Sequence, residues 1–231
     1  MRKTAAQNIP ERPKSPRLRK SPHPLARAFF ARDPRLVAPE LLGKVLVRQE
    51  GRSLRAGRIV EVEVYLGADD AAAHAAAGET ARNRVLFGPP GHAYVYFTYG
   101  MHYCLNVSCM REGEAGSLLI RALEPLAGIS AMVRARGLDE RKHRDSAQQL
   151  RLLASGPGRL CQAMSITRSR DNGKDLTSRT SDLWIGDDGY SARGIIRTPR
   201  IGITKSVEMP LRYFIAGSEF VSGRRRGVSR P

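Results

Sequence analysis

Residues 58–66 read RIVEVEVYL, an alternation of apolar and polar side chains sustained over nine residues. A period of two belongs to an extended chain, in which successive side chains point to opposite faces of a sheet. The segment therefore predicts a strand with Val60, Val62 and Val64 on one face and Glu61, Glu63 and Tyr65 on the other. A strand this long is expected to lie centrally, with the valines on a core and the carboxylates on an exposed, polar face.

The neighbouring segments fit around such a strand. KVLVRQ (44–49) alternates in the same way, and GRSLRAG (51–57) reads as the turn between the two. Upstream, LARAFFARDPRLVAPELLG (25–43) has helical spacing for two short helices, with Asp33 as N-cap before Pro34 and Gly43 as a stop. From Gly67 the chain is Ala-rich and irregular until a Gly-Pro-Pro-Gly turn opens AYVYFTY, a Tyr99-Gly100 break and HYCLNVSC, which predict an aromatic hairpin. SLLIRALEP (117–125) is a further strand. PLAGISAMVRARG (125–137), SAQQLRLLA (146–154) and SGPGRLCQAMSI (155–166) are helical, and LWIG (183–186), PRIGIT (199–204) and LRYFIAG (211–217) are short strands. No repeat or internal linker interrupts the series. The expectation is one α+β domain over residues 25–222, with a curved, mainly antiparallel sheet and peripheral helices.

Charge constrains the partner. The 231 residues carry 39 Lys and Arg against 22 Asp and Glu, a net charge of +17, which attracts polyanions, nucleic acid foremost. Residues 1–24 hold seven of the cations, one acid and five prolines, a composition expected of a mobile basic arm. Residues 223–231 form a second basic tail. No apolar run is long enough to span a bilayer, and residues 1–20 lack the apolar stretch of a secretory signal. The three cysteines, Cys104, Cys109 and Cys161, include no CxxC pair and are expected as reduced thiols.

Glu61 and Glu63 have two readings. A solvated sheet face is the plainer one. Against it stands the company of Tyr65 on the same face, His74 in the following loop, and Tyr94, Tyr96 and Tyr99 in the hairpin. A carboxylate on a rigid strand beside aromatic rings, in a basic protein, has the makings of a general base for water next to a stacked nucleobase.

Four blocks, RIVEVEVYLGADDAAAHA, ARNRVLFGPPGHAYVYFTYGMHYCLNVS, LLIRALEP and SGPGRLCQAM, stand in an order and spacing that resembles the alkyladenine (3-methyladenine) DNA glycosylase family, its bacterial branch in particular. The resemblance runs from about residue 25 to 222. It implies a fold like a formyltransferase C-terminal domain, no metal and no redox cofactor, and a monomer acting on double-stranded DNA that contains damaged purines, in the cytoplasm and at the nucleoid when bound. The implied reaction is monofunctional hydrolysis of the N-glycosidic bond of a flipped purine of the 3-methyladenine type. By position, the resemblance makes Glu63 the general base and places Arg121 beside it and the attacking water. Tyr65, His74 and Tyr96 become walls of the base pocket, and Asn106 the group that discriminates against the exocyclic amine of guanine. Tyr99, with Met101 beside it, becomes the wedge entering the DNA.

Each residue also has an ordinary role to weigh. A lone His74 is commonly a hydrogen-bonded loop residue, and Tyr94 and Tyr103 are expected to fill packing space. Asn106 sits mid-strand, where Asn is disfavoured. Arg121, alone among Leu118, Leu119, Ile120, Ala122 and Leu123, calls for a buried acidic partner, and Glu61 competes with Glu63 both for that place and for the role of base. A non-catalytic nucleic-acid module would explain the basic segments but leaves both glutamates idle beside a polyanion. LLASGPGRLCQAM is a weak match to a helix-hairpin-helix. His102, Cys104 and Cys109 lack the spacing and second half of a metal-ligand set.

Overall fold

The computed structural model describes residues 17–141 and 147–223. In chain order these form β1 (His23–Pro24), α1 (Arg27–Phe30), α2 (Pro34–Leu41), β2 (Val45–Glu50), β3 (Ser53–Tyr65), β4 (Ala93–Thr98), β5 (His102–Cys109), β6 (Gly116–Ala127), α3 (Ile129–Ala135), α4 (Ala147–Ala154), α5 (Pro157–Ala163), α6 (Arg168–Asp171), β7 (Leu183–Asp187), β8 (Ile195–Thr198) and β9 (Arg212–Ile215). Among the described residues the nine strands make one sheet in the order β1-β7-β2-β3-β6-β5-β4, with β9 paired to β3 and β8 to β9. Every pairing is antiparallel, and the few short helices lie around the sheet, so the class is α+β.

The alternating segment is the second half of β3, and it is central. β6 runs along one edge, while the other edge is shared by β2 near its start and by β9 at Glu61, Val62 and Glu63. The register against β6 slips between Ile59 and Glu61 and again between Glu61 and Val62. Such a bulge breaks strict alternation, and it admits both Ile59 and Val60 to the core. Val62 and Val64 follow, together with Val95, Leu105, Val107, Leu118 and Ile120 from the neighbouring strands. Val37, Ala38 and Leu41 of α2, Met132 and Val133 of α3, Leu153 of α4 and Leu160 of α5 complete that cluster. Burying a side chain of this size is worth roughly 1.5–3 kcal/mol, so the apolar face alone accounts for the packing of the helices. Asp33 caps α2 as its sequence suggests, accepting from Arg35 N at 2.7 Å. Cys104, Cys109 and Cys161 are free and buried.

Several boundaries differ from expectation. The turn expected over 51–57 shrinks to Gly51 and Arg52, because Glu50 pairs directly with Ser53 and β3 starts there. Arg55, which falls in the expected turn, and Arg48 on β2 are buried against Glu50 and Asp171 respectively. β6 continues through the start of the segment expected to be helical. The chain then turns at Gly128, whose φ is +72° and where a Cβ would stand 2.1 Å from the Leu54 carbonyl. PRIGIT is not a strand; the strand lies just before it, in β8. Pro199 has no N–H to give a ladder, and the Ile201 N–H is used elsewhere, as described below.

The largest correction concerns the polar face of β3. Glu61 and Glu63 are fully buried, because the segments around residues 199–203 and 220–222 lie over them. The boundary expected at residue 24 also falls inside packed structure. Residues 1–16 and 224–231, and Ser146 at the head of the expected helix 146–154, lie outside the described residues. Leu18, in contrast, packs on a second apolar cluster of Val45, Val47, Ala56, Leu126 and Trp184. Arg19 N donates to Asp188 at 3.1 Å, and His23 and Pro24 pair with Asp187 and Gly186. Deleting residues 1–24 is therefore expected to lower the melting temperature by about 3–6 °C in calorimetry. An unchanged midpoint would show that these contacts contribute nothing to stability.

Candidate active site

The aromatic hairpin, the Ala-rich loop and the strands that carry Tyr65 and Arg121 meet at one cavity of about 630 Å³. Its wall contains Tyr65 from β3, His74 from the Ala-rich loop, Tyr96 from β4, Asn106 from β5 and Arg121 from β6. Tyr99 stands at the mouth. β4, β5 and β6 are adjacent, and alternation turns Tyr94, Tyr96, Cys104, Asn106, Ser117, Leu119 and Arg121 away from the core. Gly67 lets the loop after Tyr65 fold back at φ +76°, where a Cβ would meet the Ala115 carbonyl at 2.3 Å.

Neither glutamate lines the cavity; both lie behind Arg121 and Tyr65. Arg121 holds both, with Nε donating to Glu61 Oε1 at 3.1 Å and Nη1 to Glu63 Oε2 at 3.0 Å. Burial disfavours the guanidinium charge, but the two carboxylates outweigh it and hold Arg121 above its ordinary value. Beyond that shared cation the two acids differ. Glu61 also accepts from Arg212 Nε at 2.6 Å, Ser222 Oγ at 2.9 Å and Ser222 N at 2.6 Å. Three of the four donors converge on Oε1 and the fourth meets Oε2, and Glu61 so fastens β9 and the segment after it to the sheet. Among the described residues Glu63 accepts from Arg121, from Tyr65 OH at 3.2 Å and from Ile201 N at 2.9 Å, all three in the cavity wall, which Arg212 and Ser222 are not. Burial, followed by the charge of Glu63, pushes the Tyr65 phenol well above its usual range, so it stays protonated as a donor.

The aromatic wall is a small assembly of rings. His74 Nδ1 lies 3.0 Å from Tyr94 OH, and the His74 ring meets Tyr96 edge-on at 4.5 Å. Tyr94 and Tyr96 stack at 5.4 Å, with Tyr94 buried as a packing residue and Tyr96 facing the cavity. Burial, reinforced by Arg82, holds the His74 imidazole below its ordinary value of 6.5. The folded state thus resists a proton that the unfolded chain takes up. The stability contributed by the neutral ring is complete above about pH 6.5 and is lost as the pH falls through the lowered folded value. His74→Gln should flatten the decline of melting temperature from about pH 7 to about pH 5. An identical decline in the variant would assign the effect to other groups.

Asn106 is 5% exposed; its Nδ2 donates to Ser117 Oγ at 3.0 Å, and its Oδ1 has no partner among the described residues. An unpaired buried acceptor in a cavity wall is costly unless a ligand meets it. At the mouth, Tyr99 and Gly100 both have positive φ, +51° and +66°, in a turn closed by Met101 N to Thr98 O at 3.2 Å. That turn thrusts Tyr99 and Met101 into solvent, 77% and 66% exposed. The Tyr99 hydroxyl is 3.5 Å from the Gly202 carbonyl, so the segment that supplies Ile201 N to Glu63 also reaches the tip of the hairpin.

A family model described as Methylpurine-DNA glycosylase (MPG) matches residues 28–219, which span every residue of the cavity wall named above. The chain belongs to this glycosylase family. A "Putative 3-methyladenine DNA glycosylase" of Koribacter versatilis is 65% identical over 202 residues, covering 87% of this chain and 94% of the relative. Proteins of the same printed name from Burkholderia lata and Methanoculleus marisnigri are 48% and 45% identical, over 86% and 87% of this chain and 91% and 99% of their own. The chain is thus a DNA glycosylase, a hydrolase of the repair of alkylated bases. No helix among the described residues is long and apolar enough to cross a membrane.

The glycosylase cavity brings together Tyr65, His74, Tyr96 and Asn106, the pocket residues expected from the sequence, with Tyr99 at its mouth; Met101 is exposed on the same turn but does not line the cavity. It also contains residues that sequence reasoning passed over: Ser117 beneath Asn106, Arg136 and Arg159 at the edge near α5, and Ile201 with Gly202. Pro199 and Gly202 within a supposed strand were the available signal that PRIGIT was a shaped loop.

Proposed function

We propose that this glycosylase extrudes a damaged purine of the 3-methyladenine type from duplex DNA into the cavity and hydrolyses its N-glycosidic bond with a water activated by Glu63. The observation that carries the reading is the difference between the glutamates: all three donors to Glu63, on Tyr65, Arg121 and Ile201, belong to residues of the cavity wall, whereas Glu61 is held mainly by Arg212 and Ser222, which do not line it. A carboxylate must accept a proton to serve as a base, and Glu63 Oε1 accepts a single hydrogen bond, from Ile201 N, which leaves a lone pair for that proton beside the wall.

The remaining parts follow from the chemistry. A base inside a duplex hides its glycosidic bond, and extruding it costs a few kcal/mol. Tyr99, projecting with Met101, fills the gap left in the stack. Tyr65 and Tyr96 offer π faces, worth roughly 1–3 kcal/mol per base in stacking and more for a cationic alkylated purine. Such a base is a good leaving group. It departs with the electrons of the C1′–N bond while the water oxygen bonds to C1′ and its proton passes to Glu63, so no lysine adduct is needed. Arg121 holds the Glu63 carboxylate in place through Nη1 before the step. Asn106 Oδ1 reads the edge of the purine. One chain holds wedge, pocket and base, so a monomer suffices, working at the nucleoid.

Release of free base from alkylated duplex DNA by the purified protein tests the reaction. Duplex binding without release would reduce the protein to a nucleic-acid-binding module. Tyr99→Ala should lower the flipped population about tenfold, near 1.4 kcal/mol, as reported by an environment-sensitive base at the lesion. A flipping equilibrium equal to that of the parent would remove Tyr99 from the wedge role.

A further inference from the structure

Two irregular segments border the cavity: the one after β3, which leads to His74, and the one after β8, which carries Ile201 and Gly202. An ion pair ties them together. Arg200 donates from Nη2 to Asp70 Oδ1 at 2.8 Å and from Nη1 to Asp70 Oδ2 at 2.5 Å, and both side chains are fully buried. Asp70 also accepts from Ala72 N at 3.1 Å and Leu66 N at 3.3 Å, which shapes its own loop. Arg200 donates in addition to the Val64 carbonyl at 3.0 Å, on the strand between Glu63 and Tyr65. Burial works against the charge on Asp70, yet Arg200 holds the carboxyl below its usual range.

The pair reaches two of the three donors of Glu63 without lining the cavity itself. The Arg200 guanidinium lies 4.7 Å over the ring of Tyr65, whose hydroxyl donates to Glu63 Oε2. The next residue along the chain, Ile201, donates its N–H to Glu63 Oε1. A buried ion pair is a poor source of net stability compared with apolar packing of the same volume. What a planar, forked guanidinium supplies is geometry, because its paired donors fit one arrangement only.

We propose that Asp70 and Arg200 are positioning residues for Glu63, fixing Tyr65 and the Ile201 N–H so that the free lone pair of the carboxylate faces the attacking water. This rests on the reading of Glu63 as the general base. The sugar carbon, the water and the base must align to within a fraction of an ångström, and a displacement of about 1 Å can cost on the order of 100-fold in rate. Asp70 and Arg200 touch no reacting atom; they set where those atoms' partners stand.

Arg200→Lys keeps the charge and removes the fork and its stacking on Tyr65. The single-turnover excision rate at saturating enzyme should fall about 30-fold, while the dissociation constant for the lesion duplex stays within about threefold of the parent. Replacing Ile201 by its α-hydroxy acid, an amide-to-ester change, deletes only the N–H aimed at Glu63 and should lower the saturated rate about tenfold with the same unchanged binding. If Arg200→Lys does not fold, the ester variant decides. Rates within threefold of the parent in a folded variant, or losses of rate and binding in equal proportion, would overturn the positioning role. Glu63→Gln is measured alongside. An active Glu63→Gln protein means that the base assignment itself has failed, whereas an inactive one beside parent-like Arg200→Lys and ester variants means that only the positioning role has.

Discussion

Glu63→Gln is expected to bind lesion duplex nearly as well as the parent and to release free base about two to four orders of magnitude more slowly in single turnover. The amide has almost the shape of the carboxylate but cannot accept a proton. Its NH₂ must also face one of three donors, Arg121 Nη1, Tyr65 OH or Ile201 N, so some loss of stability accompanies the loss of rate. Rates are therefore compared at a temperature where both proteins are folded. Glu61→Gln provides the contrast. It meets four donors with an amide and should be the less stable protein, yet excision by its folded fraction should persist. Inactive Glu61→Gln beside active Glu63→Gln would invert the assignment.

The second large effect is on stability. Arg121→Met removes the cation that, among the described residues, touches both buried carboxylates. Glu61 keeps Arg212 and Ser222, but Glu63 is left charged, buried and held only by a phenol and an amide. Breaking a buried pair from one side costs about 3–5 kcal/mol, which denaturant unfolding would register as a large fall in midpoint at unchanged slope. Adding Glu63→Gln to Arg121→Met should restore part of that loss, since the stranded charge disappears. Additive losses in the double variant would mean that the two side chains do not interact.

Much of this protein was legible in its chain. The two-residue period of RIVEVEVYL determined a central strand, and the apolar partners in AYVYFTY, HYCLNVSC and SLLIRALEP determined which face of each neighbour met the core. Tyr99-Gly100 announced a projecting turn because two consecutive residues there must accept positive φ, and Arg121 announced a buried acid because a lone cation among leucines needs one. Periodicity and turn chemistry are local, and a local pattern survives in the sequence.

Which glutamate borders the cavity wall was not legible. Glu61 and Glu63 are two residues apart on one strand face, and nothing in their surroundings along the chain distinguishes them. The distinction comes from donors remote in sequence: Arg212 and Ser222 close around Glu61, while Ile201 gives Glu63 a single N–H. The same remoteness explains why the polar face was expected in solvent and is in fact covered, and why PRIGIT resembled a strand although its amide is aimed at a side chain. The sequence by itself determined the sheet, the aromatic wall and the presence of a buried acid beside it. Only the tertiary structure decided which acid is held by the cavity wall and which by β9 and the segment after it, because the donors are gathered by the fold from distant segments, and no periodicity encodes where they come from.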